Sequence, residues 1–303
     1  MKCLVTGGTG FIGSNVAEEL IKQGHDVTII GTKPHFLPKE VRKNAKIIQP
    51  GFLGINWDKI GKVDALFHLA GITDNQFRDW DEIHRANVES SRRIFEHVIQ
   101  HGCKQIVYAS STSVYGLVQP PFREDGPVEP HNEYARSKLE TEKIAKELGQ
   151  KHPDVTFVGL RCCNVYGPRE GHKGTLSTMI YQFAQQMRNG NPKLFKWGEQ
   201  KRDYVYVKDV VRAYLLGAQM KQSCVVNCAG GKAVSFVELV NILNKVMGLN
   251  RTSEFIDSPL GTNYQAHTEC DLTKAKEVLG FAPEFDIEKG IKDYYESGQL
   301  VPK

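Results

Sequence analysis

The chain has 303 residues, 40% of them hydrophobic and 24% charged, which is enough apolar material for one large or two closely joined globular units. A formal net charge of +4, spread along the chain, gives no focused basic stripe for nucleic acid, and no apolar run reaches transmembrane length. Seven cysteines without metal-type spacing, and no apolar leader before the first glycines, predict reduced thiols, a cytoplasmic protein and no metal site.

Residues 2–6 predict a short strand that runs into Gly7-Gly8-Thr9-Gly10-Phe11-Ile12-Gly13, followed by an amphipathic helix with Val16, Leu20 and Ile21 inward. Gly7 permits a tight turn, Gly10 lets backbone amides approach a pyrophosphate, and Gly13 allows the helix to pack on the strand, with the helix dipole facing the anion. Glycine-rich stretches also occur in ordinary turns; the setting between strand and helix favours a dinucleotide. Strands at Asp26 to Ile30, near Ala45 to Ile48 and at Ala65 to Leu69, with helical patterns between, predict an α/β fold built on a doubly wound parallel Rossmann sheet. Past the second strand the chain reads Ile30-Gly31-Thr32-Lys33, without the acid that usually binds the adenosine ribose hydroxyls. Thr32 and Lys33 are suited to a 2′-phosphate, which favours NADP with NAD possible; the alternative is a solvated loop lysine.

The strand Gln105 to Tyr108 leads into Ala109-Ser110-Ser111-Thr112-Ser113-Val114-Tyr115-Gly116, where Ser111 falls at the carboxyl edge of the sheet or merely caps a helix. In Tyr134-Ala135-Arg136-Ser137-Lys138 a phenol and an ammonium four residues apart share one helix face. An ammonium there lowers a phenol pKa that starts near ~10, so the tyrosine can take a proton from an alcohol, although the spacing also arises by chance. The strand Thr156 to Arg161 precedes Asn164-Val165-Tyr166-Gly167-Pro168-Arg169-Glu170-Gly171-His172-Lys173-Gly174. Beyond it the pattern predicts a helix from Leu176 to Met187, a strand-helix unit from Val205 to Gly217, and a strand at Val225 to Asn227 that rejoins the sheet. Two more helices follow, Phe236 to Met247 and Thr273 to Leu279, the second opened by Asp271 and closed by Gly280. The expected division is a dinucleotide-binding domain at 1–166 with return segments about 203–230, and a smaller interleaved α+β substrate-binding domain from 167–202 and 231–303.

The glycine motif, the Ser111 segment and the Tyr134–Lys138 pair together resemble the extended short-chain dehydrogenase/reductase superfamily of nucleotide-sugar enzymes. The Gly171-His172-Lys173-Gly174 continuation, with Pro192-Lys193-Leu194-Phe195 and Lys201-Arg202-Asp203-Tyr204, is similar to the ADP-glyceromanno-heptose 6-epimerase branch. The resemblance implies epimerisation of a nucleotide-diphosphate sugar by transient oxidation and re-reduction with a tightly bound, recycled NADP or NAD, in surface polysaccharide biosynthesis and as a homo-oligomer. It makes Tyr134, Lys138 and Ser111 catalytic, and Lys173 the second acid/base. Phe11, Ile12, Leu69, Ala70, Gly71, Asn87 and Val165 join the glycines, Thr32, Lys33, Tyr134 and Lys138 as expected cofactor contacts. Ser111, Asn164, Thr175, Gln182, Phe195, Arg202 and Tyr264 are the expected substrate contacts. The residues leave other readings open: Lys173 as a phosphate-binding or solvent-facing lysine, Arg202 as a surface ion pair with Asp203, Asn164 as a turn residue. Thr112-Ser113 lacks the Asp-Glu pair of the superfamily's dehydratases, whereas 4-epimerases, 4-dehydrogenases and 4-reductases would use the same Tyr, Lys and Ser. A dinucleotide-binding sensor without turnover is the rival from another class. Three places depart from the heptose branch: Gly31 for the acid, Gln49-Pro50-Gly51-Phe52 without an aspartate, and the Gly71-Ile72-Thr73-Asp74-Asn75 loop.

Overall fold

A computed structural model describes residues 1–49, 60–258 and 265–301. In β1 (Lys2–Thr6), Cys3 and Val5 enter one apolar cluster and Leu4 the opposite one, so the strand is covered on both faces as a parallel sheet requires. After α1 (Phe11–Lys22), the chain forms β2 (Asp26–Ile30), α2 (Lys39–Asn44), β3 (Lys46–Ile48) and β4 (Ala65–His68). A short helix α3 (Trp80–Ile83), a π-helical turn at His84–Glu89 and α4 (Ser90–Gln100) run on without a break to β5 (Gln105–Ser111). Then come α5 (Glu133–Lys151) and β6 (Thr156–Cys162), the two short strands β7 (Val165–Tyr166) and, beyond α6 (Met179–Asn189), β8 (Lys193–Phe195). The strands β9 (Lys201–Asp203) and β10 (Val205–Tyr206) lead through α7 (Val207–Gly217) to β11 (Cys224–Cys228).

Among the described residues, one seven-stranded sheet runs β11-β6-β5-β4-β1-β2-β3 with every pair parallel. The chain crosses from one side of β1 to the other between β3 and β4, and the carboxyl ends diverge there into a crevice. Val16 and Leu20 of α1 pack on one face with Val210 and Tyr214 of α7, while Ile94 and Phe95 of α4 cover the other with Ile144 and Leu148 of α5. The fold is therefore α/β and doubly wound. A further cluster joins Ile180 and Phe183 of α6, Leu239 and Leu243 of α8 (Phe236–Met247, entered from β12, Ala233–Ser235), and Ile291 and Tyr294, with Phe11 of α1 at its boundary. Beyond β13 (Glu254–Ile256), α9 (Thr273–Leu279) returns to the sheet, where Ala275 and Leu279 join the cluster of α1 and α7; α10 (Ile287–Glu296) carries Ile291 and Tyr294 back to α8.

The sixth helix starts at Met179, later than the hydrophobic spacing predicts. Residues Gly171–Leu176 form a tighter turn, with Gly174 at φ 57°, and Thr178 donates its N–H to the Glu170 carboxylate at 2.9 Å, which fixes the true entry to the helix. Tyr264 and the departure at 50–52 lie outside the described residues.

Candidate active site

Gly10 caps α1 without any side-chain hydrogen bond, so the first amides of the helix are left for a ligand. A Cβ on Gly7 (φ +67°) would fall 2.7 Å from the Ala70 nitrogen, and one on Gly13 would fall 2.3 Å from the Gly7 carbonyl oxygen. The cradle therefore tolerates no side chain at either position. It opens into a cleft of about 1290 Å³, and Phe11, Ile12, Thr32 and Lys33 line that cleft from the β1–β2 side. Leu69, Ala70 and Gly71 line it from the end of β4. These features fit a dinucleotide: open helix amides, glycines against backbone, and a long apolar crevice.

Tyr134, Lys138 and Ser111 meet at the far end of the same cleft. Asn132 caps α5 by accepting from Ala135 N–H at 2.8 Å, which starts the helix where the phenol and ammonium project together. Lys138 is 5% exposed, donates from Nζ to the Ala109 carbonyl at 3.0 Å and stands 5.7 Å from the Tyr134 ring centroid. Burial brings its ammonium down to about 8. Burial also pushes the Tyr134 phenol up to about 12, with the Ser111 hydroxyl pulling in the opposite direction through a hydrogen bond. The phenol is therefore not lowered as the sequence led one to expect: desolvation outweighs the Ser111 hydrogen bond, and Tyr134 is protonated at neutral pH.

Lys173 enters the cleft on a braced loop. Glu170 is fully buried and accepts from Gly167 N–H at 3.2 Å and from Thr178 N–H and Oγ1 at 2.9 Å each, closing the loop that carries Lys173. Asn15 of α1 donates to the Pro168 carbonyl at 3.2 Å, and Arg169 pairs with Glu18, so the loop is fastened to the glycine-motif helix. Burial lowers the Lys173 ammonium below the usual lysine range, with Glu170 opposing the shift, and its Nζ lies 5.9 Å from the Phe11 ring centroid. Thus the two side chains are biased apart, the phenol up and the amine down.

Residues 3–229 match the NAD dependent epimerase/dehydratase family. The chain belongs to this family. It is 34% identical to the ADP-L-glycero-D-manno-heptose-6-epimerase of Alkalilimnicola ehrlichii over 321 residues, covering 99% of this chain and 98% of that relative. The solved ADP-L-glycero-D-manno-heptose-6-epimerase of Helicobacter pylori superposes with a TM-score of 0.87 at 28% identity, covering 98% of this chain and 95% of the other. The UDP-glucuronic acid 4-epimerase of Bacillus cereus, solved with UDP-glucuronic acid and NAD, gives a TM-score of 0.84 at 25% identity over 98% of each chain.

Within this family fold, Asn164, Val165 and Arg202 also line the cleft. Asn164 sits at φ 39° and donates from Nδ2 to the Asp203 carbonyl at 2.8 Å, so its amide also holds the chain after β6. Arg202 and Asp203 leave β9 on opposite faces; Asp203 is buried and accepts from the N–H groups of Gly230, Gly231 and Cys270, while Arg202 donates to Ala266 O at 3.0 Å. Asn87 is set back from the cleft as a strut: it accepts from Ile72 N–H at 2.7 Å and donates to Ile72 O and to Ser137 Oγ at 2.9 Å each. It thereby ties the loop after β4 to the helix turn between Tyr134 and Lys138. Gln182 turns away to donate to the carbonyls of Thr175 and Ser177 at 3.1 and 2.8 Å, and neither it, Thr175 nor Phe195 lines the cleft.

Some contributors escaped the sequence reading. Thr9 packs so closely that a Cβ on Gly31 would fall 2.3 Å from its Oγ1. Phe36 stacks on His172 across the rim at 4.9 Å between ring centroids, and His172 donates from Nδ1 to the Arg169 carbonyl at 2.6 Å. Cys162 lines the cleft beside Ser111. Beneath them Arg161 holds Glu142 of α5 through Nε and Nη2 at 2.9 and 2.7 Å and Tyr115 Oη at 3.0 Å, fixing α5, the helix of Tyr134 and Lys138, to β6.

Proposed function

We propose that the chain is a nucleotide-diphosphate-sugar epimerase that inverts a carbinol by transient oxidation, with an ADP-linked heptose inverted at carbon 6 as its substrate. The observation that carries this reading is that Tyr134 and Lys173, with opposite protonation biases, line one cleft with the glycine cradle. Inversion needs proton carriers at two places, because the oxygen lost in oxidation and the oxygen formed on the opposite face point in different directions. Bound nicotinamide dinucleotide supplies reversible hydride transfer. Lys173, whose burial favours the neutral amine, takes the hydroxyl proton of one epimer. Tyr134 gives a proton to the oxygen of the other, with Ser111 orienting that oxygen through the same hydrogen-bonding cluster. Lys138 anchors the phenol's end of the cleft through Ala109, and in the reverse reaction the two carriers exchange roles. Between the half-reactions the side chain of the sugar rotates, and the His172–Phe36 stack over the rim favours retention of the ketone.

Asn164 and Arg202 are assigned to the sugar diphosphate, the guanidinium fork suiting phosphate oxygens. The cofactor is assigned as NADP: an acid at position 31 would displace Thr9, and Thr32 and Lys33 border the cleft beside it. Residues 1–166, with return segments about 203–230, are assigned to the dinucleotide half, and 167–202 with 231–303 to the sugar half.

The test is a panel of ADP-, GDP-, UDP-, CDP- and dTDP-linked heptoses and hexoses incubated with the protein and followed by proton NMR. Isomerisation of the ADP-heptose without net cofactor reduction is expected. Accumulation of reduced cofactor would instead make the protein a dehydrogenase, and inversion confined to carbon 4 of hexoses would overturn the substrate assignment.

A further inference from the structure

Seven thiols are free, and they differ sharply in setting. Cys162 is half-buried on the floor of the cleft, at the end of β6. The sheet register places Ser111, Cys162 and Cys228 in one row across β5, β6 and β11, with Cys162 the Cα partner of both neighbours. Partners in adjacent parallel strands project to the same face and lie about 4.8 Å apart, inside the roughly 4.4–6.8 Å Cα window that a disulfide accepts. The Cys162 sulfur raises the Cys228 thiol, and the Lys138 ammonium lies within electrostatic reach of the Cys162 sulfur. The geometry assigns Cys162 as a peroxide-reactive thiol reached through the cofactor cleft, and Cys228 as the thiol that resolves it to a disulfide.

The chemistry balances with a hydroperoxide as oxidant. The Cys162 sulfur attacks one peroxide oxygen, the O–O bond breaks, and Cys162 becomes a sulfenic acid as the first water or alcohol leaves. The Cys228 sulfur then attacks the sulfenic sulfur, its proton leaves with the departing hydroxyl as water, and the S–S bond forms. Two thiols are oxidised and one peroxide is reduced. Cys228 is fully buried behind Cys162, and its thiol is held in the protonated form by Cys162 and by burial, so it suits the second step and not the first.

The other thiols are poor competitors. Cys163 and Cys270 also share one buried cluster, yet they are 0% and 3% exposed and neither lines the cleft. Cys3 and Cys103 are buried and pushed up to about 11 by burial, and Cys224, half-buried, is raised by burial and lies outside the cleft. Oxidation would link two strands in the row of Ser111 and take the Cys162 thiol out of the space shared with Tyr134 and Lys138. This inference does not depend on the sugar or the reaction assigned above, and its readout is mass.

The full-length protein, reduced and desalted, is treated with hydrogen peroxide, alkylated, digested without reduction and sequenced by tandem mass spectrometry. The expected result is loss of two of the seven alkylatable thiols, a cross-link localised to Cys162 and Cys228, and its reversal by dithiothreitol. In Cys228→Ser the sulfenic acid should persist and be trapped on Cys162 by a cyclic 1,3-diketone. A cross-link confined to Cys163 and Cys270, retention of every thiol, or diketone labelling elsewhere than Cys162 in the Cys228→Ser protein would each overturn the assignment.

Discussion

Replacing Lys173 by Met separates the proposed two-carrier site from a one-base alternative. The lysine stem is half-buried beside Phe11, and methionine keeps an unbranched apolar stem of similar reach while removing the amine. Because Glu170 closes the loop through Gly167 and Thr178, contacts that do not involve the Lys173 side chain, the loop should keep its shape. Stability should change by about 0.5 kcal/mol or less. Loss of one positioned proton carrier costs about 10²–10⁴-fold in rate, which corresponds to roughly 3–5 kcal/mol of barrier. Inversion of the sugar, followed by NMR, should therefore fall by at least about 100-fold, while dinucleotide binding by fluorescence titration stays unchanged. Inversion at the parental rate with the variant folded would refute the role of Lys173 and return the chemistry to Tyr134 alone.

Gly31→Asp should shift preference toward NAD, because the new carboxylate must displace Thr9 and repels a 2′-phosphate; equilibrium titration with both dinucleotides checks it, and an unchanged ratio speaks against the assigned phosphate site. Lys33→Ala should weaken NADP by about tenfold, the scale of one charge-assisted hydrogen bond, and leave NAD nearly unaffected. Turnover should decline as pH rises through about 8, where Lys138 loses its proton: burial favours the neutral amine, so the ammonium is present below that value and absent above it. A pH–rate profile flat from 7 to ~10 would remove Lys138 from the machinery. Glu142→Ala strands the buried Arg161 guanidinium and should cost about 3–5 kcal/mol in urea unfolding, against near-zero loss for Glu140→Ala on the exposed face of the same helix.

The features legible in the chain are those whose chemistry is local. Gly7 to Gly13 announce the cradle because turn, amides and helix start lie within seven consecutive residues. Tyr134 and Lys138 announce themselves because helical spacing alone puts them on one face. The short apolar strand β1 and the boundaries of α8 and α9 were equally readable, since each depends on neighbours a few residues away. Contacts distant in sequence carried no such mark: Asn87 to Ser137, Glu142 to Arg161, and Phe36 to His172. Gln182 was expected at the sugar from the family resemblance, yet its amide finds two carbonyls of its own loop closer at hand.

By itself, then, the sequence determined the doubly wound fold, the dinucleotide cradle and which phenol and amines are available for proton transfer. Tertiary structure decided their states. Packing around Tyr134 and Lys173 moves the phenol up and the amine down, because a charge loses hydration in proportion to everything that surrounds it, and most of those surroundings come from distant parts of the chain. The same assembly aligned Ser111, Cys162 and Cys228 in one row, since strand register is set by the whole sheet.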